Sequence, residues 1–197
     1  MRPPLRLLSI LPLTCLLAAC ASSPPVAHYK SVPKEQEAQV AKEMCEHVAC
    51  VDNVHVVLKK ADGSLYDQMF DSVPVVQENG VSVYAGQKVL FEADVEGDKL
   101  TGLKLVTQVL NPSRTLSAEL KQVENGQMML EIKNPFDRDL KISMGLMPLD
   151  TDRLLATTSC PIMAGIMGIE FWPQPIFQVW LGDMRFIPRG QSMGCTE

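Results

Sequence analysis

The residues that could do chemistry in this chain are few, and the tightest group is Cys45, His47 and Cys50, followed by His55. Two thiolates and two imidazoles are a ligand set that zinc accepts in a tetrahedral site. The spacing is looser than that of the common zinc motifs, however, and in an oxidising compartment the two sulfurs would join each other. We therefore predict no metal and no cofactor at these residues.

A second candidate lies near the C-terminus, where Gly190, Ser192 and Gly194 match the Gly-x-Ser-x-Gly pattern of a nucleophile elbow. In hydrolases with that motif, an acid and a histidine follow the serine in the chain. Only three residues follow Gly194 and none is histidine. A base would have to come from His47 or His55, far upstream. The sequence predicts that the protein is not an enzyme, and a hydrolase is the least favoured function.

Methionine supplies a third possible chemistry, because thioethers are soft ligands that suit Cu(I). Eight of the eleven methionines lie in the second half, among them Met128, Met129, Met144, Met147, Met163 and Met167. Met144 alternates with Ile142 and Leu146, which is the pattern of a core residue, and methionine often fills gaps in apolar interiors. Copper handling, with His47 or His55 completing a site, is kept as the alternative function.

The apolar stretch from Cys160 to Leu181 allows two interpretations. In the first, a loop crosses the end of the fold and a core strand follows from Ile176 to Leu181, since most large apolar side chains are buried. In the second, the stretch is an exposed surface for a partner, because aromatic residues and methionine are enriched at interface cores. The expected anchors would then be Phe171, Trp172, Ile176 and Phe177, with Trp172 the central one.

A hydrophobic pattern with a period of two residues runs through most of the chain. The elements that it predicts must position the candidate residues described above. The alternating apolar residues are Val54, Val56 and Leu58; Val89, Phe91, Ala93 and Val95; Leu116, Ala118 and Leu120; and Leu140, Ile142, Met144 and Leu146. Such alternation is typical of antiparallel strands with one buried face. Turn signals such as Asn79-Gly80 and Asn125-Gly126 separate the runs. We predict an all-β antiparallel β-sandwich, immunoglobulin-like in architecture, with a small lipocalin-like barrel as the alternative.

One short helix is expected before the strands, over Lys34–Val48. Ala38, Ala41, Cys45 and Val48 are spaced by three or four residues and would share one face, which brings Cys45 towards the core.

Four of the six cysteines, those that follow Cys20, are expected to form two disulfides. An even count in an exported domain is typical of a disulfide framework, and four cysteines allow three connectivities. We favour Cys45–Cys50 and Cys160–Cys195, because each pair is nearest in sequence.

The N-terminus has the pattern of an export signal. Arg2 and Arg6 precede an apolar run that is too short to cross a bilayer, and small residues lead into a cysteine. The segment Leu17-Ala18-Ala19-Cys20 resembles the lipobox of bacterial lipoprotein precursors. That resemblance implies removal of residues 1–19 and acylation of Cys20 with chains such as palmitate. Ala21, which is not aspartate, implies the outer membrane in enterobacteria-like sorting, facing the periplasm.

Composition limits the function of what remains after this cleavage. The signal contains two of the 18 Lys and Arg residues and none of the 23 Asp and Glu residues, so the formal charge changes from −5 to −7. That balance argues against nucleic acid as a ligand. Residues 20–33, rich in Ser and Pro, predict a flexible tether, and residues 34–197 a single domain. We expect a membrane-anchored, non-enzymatic binding or structural module with a protein partner in the envelope.

Overall fold

Antiparallel strands make up most of the chain in a computed structural model, which describes residues 34–188 and Cys195. Within these residues there are eleven strands, and every strand pairing is antiparallel. The predicted all-β, sandwich-like fold with a short N-terminal helix is therefore confirmed. The elements are α1 (Lys34–Cys45), β1 (Ala49–Lys59), β2 (Leu65–Gln77), β3 (Gly80–Tyr84), β4 (Gln87–Glu96), β5 (Lys99–Val106), β6 (Thr115–Gln122), β7 (Met128–Lys133), β8 (Asp139–Pro148), β9 (Leu155–Thr157), β10 (Met167–Trp172) and β11 (Ile176–Ile187).

The strands fall into two groups, which are joined where β11 of the first group pairs with β5 of the second. One group has the order β1-β2-β3-β11-β8-β9, and the other has the order β5-β4-β6-β7-β10. Because β8 lies along one side of β11, the other side is shared by β3 and then β5, which meets β11 where Lys99 pairs with Arg185. The two ends of the main strand order are β1 and β10.

The apolar residues of the alternating runs form one hydrophobic core. Val54, Val56 and Leu58 are buried while the residues between them are exposed, as the alternation predicts. Val95 is the exception among the alternating residues, because it lies at the exposed end of β4. The expected alternation of buried and more exposed residues holds in β1, β4, β6 and β7. Strand β3 and most of β8 are instead buried on both faces.

Helix α1 ends at Cys45, three residues before the predicted end, and packs against β2. Both predicted disulfides are present. Cys45 and Cys50 join the end of the helix to β1, with their Cα atoms 5.6 Å apart. Cys160 joins Cys195, 35 residues further along the chain. The nearest-in-sequence pairing is thus confirmed.

Several predicted features lie outside the described residues and stay predictions. These are the signal and lipobox with Cys20, the tether over residues 20–33, and the motif around Ser192. In the part of the chain that the structure describes, no helix combines the length and the apolarity needed to cross a membrane.

Candidate interaction surface

Strand β10 is the edge strand at one end of the sheet. It pairs with β7 along its whole length, from Met167 opposite Lys133 to Trp172 opposite Met128. Among the described residues, no strand pairs with its other side. An unpaired edge presents a row of backbone N–H and C=O groups that another extended chain can bind.

The side chains of β10 alternate with the apolar residues turned outward. Met167, Ile169 and Phe171 are 49%, 47% and 56% exposed. The residues between them, Gly168, Glu170 and Trp172, are only partly exposed. This is the reverse of the usual arrangement, in which apolar side chains face the core.

The inward face of β10 explains this reversal. A Cβ atom at Gly168 would lie 2.8 Å from Cγ1 of the buried Ile162, so a larger residue has no space there. The Glu170 carboxylate accepts a hydrogen bond from the backbone N–H of Cys160 at 3.1 Å. Trp172 packs against the core. These contacts hold the strand with Met167, Ile169 and Phe171 on the solvent side.

Charged residues border the apolar row on the outer face. Residues directly opposite in an antiparallel pair share a face, so Glu131 and Lys133 of β7 lie beside Ile169 and Met167. Glu131 accepts a hydrogen bond from Lys121 of β6, 3.1 Å away, and this contact raises the pKa of the lysine above its ordinary value. The apolar row therefore has a polar rim, as binding surfaces commonly do.

A buried asparagine positions the loop that leads into β10. Asn134 is fully buried, and its Nδ2 donates to the carbonyls of Ile162 and Met163, each at 3.1 Å. Its Oδ1 accepts from the N–H of Phe136 at 3.0 Å. Met163 and Ile166 of this loop are exposed. We call Met163, Ile166, Met167, Ile169 and Phe171 the β10 surface.

Asn134-Pro135 has the composition of a turn, but the sequence did not reveal that Asn134 links two loops. Two of the three carbonyls that accept from its side chain, those of Ile162 and Met163, are 28 and 29 residues away, and the third, that of Arg138, is four residues away. A turn signal describes only neighbouring residues. The one sequence feature that pointed to a role for this side chain was its identity as asparagine, which often forms hydrogen bonds with nearby backbone groups.

The four predicted anchors fall in different environments. Phe171 is exposed and belongs to the β10 surface, and Trp172 lies beneath it, half-buried. Ile176 has no exposed surface, because it begins the core strand β11, and this removes it from any contact surface. Phe177 packs against the rings of Tyr66, Phe70 and Tyr84.

Burial divides the apolar stretch into a core part and an exposed part. Ile176–Ile187 is a core strand, as the first interpretation expected, and Met167–Trp172 has an exposed apolar face, as the second expected. Met163, Ile166, Met167 and Ile169 are exposed although they were not among the named anchors.

Of the candidate metal ligands, the sulfurs of Cys45 and Cys50 are bonded to each other. His47 is exposed in the turn after α1, and His55 Nε2 is 2.8 Å from the Asp67 carboxylate on the surface of the β1–β2 hairpin. Met128 and Met144 are buried in the core. Within residues 34–188 and Cys195, no group of three or more His, Cys, Asp or Glu side chains could hold a metal ion.

Comparison with known proteins identifies no relative: no family model, no curated protein and no solved structure matches this chain.

Proposed function

We propose that the protein is a lipid-anchored, non-enzymatic binding module of the bacterial envelope, and that it binds an extended segment of a partner protein along β10. The observation that supports this proposal is the apolar, unpaired edge formed by Met167, Ile169 and Phe171. In β-strand addition, main-chain hydrogen bonds give affinity and alternate side chains give specificity.

The chemistry of β10 selects the kind of segment that would bind. The one charged side chain of the strand, Glu170, is turned to the inner face and bonded to the N–H of Cys160. The outer face of β10 itself therefore carries no charge, and the neighbouring Glu131 and Lys133 lie on the β7 side, away from the unpaired edge. A charged residue of the bound segment opposite Ile169 would lose hydration without a partner beside it. The expected segment is extended, uncharged on its outward side, and carries apolar residues at alternate positions.

The lipid anchor would place this edge at a membrane surface. If the lipobox is processed as in bacterial lipoproteins, Cys20 carries the acyl chains. Several acyl chains on one residue anchor a protein stably in a membrane, whereas a single chain binds only weakly. The tether after it reaches roughly 40 Å when stretched. The module would therefore search for partners close to the membrane, on the periplasmic side of the outer membrane.

Photocrosslinking from single positions in the full chain tests the docking site. A photocrosslinking residue replaces Ile169, and the protein is irradiated in native envelopes. The matched control carries the same residue at Val57, an exposed apolar residue of β1 at the other end of the main strand order. We expect a crosslinked partner from position 169 and none from position 57. The attached peptide should be an extended segment of the composition given above.

The crosslinked partner then allows affinity to be measured. Ile169→Lys should weaken its binding by about 100-fold, because the change puts a charge at the centre of the apolar contact. Val57→Lys should leave binding unchanged. Equal crosslinking from both positions would overturn the proposed site. A product with twice the mass of the chain would also overturn it, because it would mean that a second copy occupies the edge.

Mass spectrometry of the mature N-terminal peptide tests the anchor separately. We expect a peptide that starts at Cys20 and carries acyl chains, and a Cys20→Ser variant that is released from membranes. An unacylated peptide that starts elsewhere would contradict the anchoring without bearing on the β10 surface.

A further inference from the structure

A cleft of about 390 Å³ opens beside the place where β11 changes its neighbour from β3 to β5. Gly182 is the last residue of β11 paired with β3, and Arg185 is paired with β5. Between them the ladder is interrupted at Asp183, which has a left-handed backbone with φ of 42°. The volume is within the range of about 300–1,000 Å³ that is common for small-molecule sites.

Trp180 forms an aromatic wall of this cleft, and its indole ring packs against two glycines. Gly80 and Gly182 lie directly opposite each other on β3 and β11. A Cβ atom at Gly80 would be 2.3 Å from Cζ2 of Trp180, and one at Gly182 would be 2.8 Å from its Nε1. The indole therefore lies against bare backbone, which requires glycine at both positions. Leu103 adds aliphatic surface to the same cleft.

Polar groups of several kinds surround this apolar wall. The remaining polar side chains of the lining belong to Glu78, Asn79, Lys99, Ser143 and Asp183. Among the described residues, Asp183 pairs with Arg185, whereas the side chains of the other four make no hydrogen bond or ion pair. The rim therefore presents free carboxylate, amide, ammonium and hydroxyl groups beside an aromatic ring.

We propose that this cleft binds a ring of an uncharged saccharide. A sugar ring has C–H groups that pack on an aromatic face, and hydroxyl groups that both donate and accept hydrogen bonds. Glu78 and Asn79 accept such hydrogen bonds, and Asn79 and Lys99 donate them. The carboxylates of Glu78 and Asp183 balance the positive charges of Lys99 and of Arg185, which is paired to Asp183. The cleft therefore has no excess positive charge that would attract an anionic sugar. The inference is independent of the β10 surface.

Fluorescence of Trp180 tests this proposal directly. The chain has two tryptophans, so Trp172→Phe leaves Trp180 as the only reporter. The full chain is kept in a detergent without sugar and titrated with the tetramer of N-acetylglucosamine, with cellotetraose and with the tetramer of galacturonic acid. We expect a saturable change in emission with at least one of the two neutral sugars, and a weaker response to the acidic one.

A bulky residue at the rim provides the decisive variant. Ser143→Arg fills the cleft and should weaken binding of the neutral sugar by about tenfold or more. Ser113→Arg, at an exposed position in the loop before β6, is the matched control and should bind as the parent does. The Ile169→Lys change should leave sugar binding intact, which separates this site from the β10 surface.

Three results would overturn the proposal. They are the absence of a saturable response to both neutral sugars, equal affinity of the Ser143→Arg and Ser113→Arg variants, and tighter binding of the acidic tetramer than of either neutral one. The fold of each variant is checked by its urea unfolding midpoint, and a Trp180→Phe variant measured by calorimetry repeats the test if Ser143→Arg does not fold. Trp180→Phe should also bind the neutral sugar more weakly, and unchanged affinity would count against the proposal.

Discussion

Strands β1 and β10, at the two ends of the main strand order, are protected to very different degrees. On β1, the outward residues include His55 and Lys59, and His55 Nε2 lies 2.8 Å from the Asp67 carboxylate. The Gln122 carboxamide binds the backbone of Lys59 twice, accepting from its N–H at 2.7 Å and donating to its C=O at 2.9 Å. The edge of β1 is therefore partly covered by a side chain from the opposite group of strands.

Neither kind of protection is found on β10. Its outward residues are apolar, and no hydrogen bond within the described residues joins a side chain to the backbone of the strand. Proteins normally cover or charge an exposed edge, because an apolar edge recruits other strands. The comparison shows that β1 has edge protection that β10 lacks, and this is why we assign docking to β10.

Each edge also has a disulfide near it, and loss of the disulfide near β10 should have the largest effect on stability. Loss of Cys160–Cys195 by double substitution to alanine should lower the free energy of unfolding by about 4 kcal/mol, since it closes a long loop. Loss of Cys45–Cys50, which closes a short loop at β1, should cost about 2 kcal/mol. Urea unfolding of the full chain measures both, and a larger loss at the β1 end would contradict this order.

Asn134→Ala should have the next largest effect and should act on the β10 side alone. The substitution removes a donor that the carbonyls of Arg138, Ile162 and Met163 share, and it leaves the buried N–H of Phe136 without its acceptor. We expect the loss of this network to cost about 3 kcal/mol. Amide exchange should accelerate in β10 and stay slow in β1. Asn111→Ala is the control, since the exposed Asn111 makes a single bond to Glu92 and should lose only about 0.5 kcal/mol. Uniform acceleration across both edges would contradict a local role.

Gln122→Ala should have the smallest effect and should act on the β1 side. The change removes both hydrogen bonds to Lys59 and a third to the carbonyl of Gly126, at a cost of about 1–2 kcal/mol. We expect the Lys59 amide to exchange faster while β10 is unaffected. Gln108→Ala, at an exposed position, is the control. If exchange at Lys59 does not change, Gln122 does not protect this edge.

Much of the fold could be predicted because its signals are local. Alternation at Val54, Val56 and Leu58 indicates a strand with one buried face, whatever that face packs against. The short spacing of Cys45 and Cys50 favoured their pairing for a similar reason. The helix was predicted within three residues at its end, because its apolar spacing is also a local property.

The candidate sites were predicted less well, because they depend on contacts between distant segments. Phe171 was correctly placed among exposed aromatic residues, but Ile176, five residues later, lies in the core. The cleft at Trp180 was not predicted at all. It depends on Gly80 and Gly182, which are 102 residues apart and meet through the pairing of β3 with β11.

The sequence by itself determined the helix and the strands β1, β4, β6 and β8, and it favoured the observed disulfide partners among three connectivities, since these features follow from periodicity or spacing along the chain. Which face of β10 points outward was decided only by the tertiary structure. The residues Met167, Ile169 and Phe171 alternate as a buried face would, but Ile162 occupies the space beneath Gly168, and Glu170 is held inward by the N–H of Cys160. Alternation specifies two faces, and the contacts of distant segments select the one that is buried.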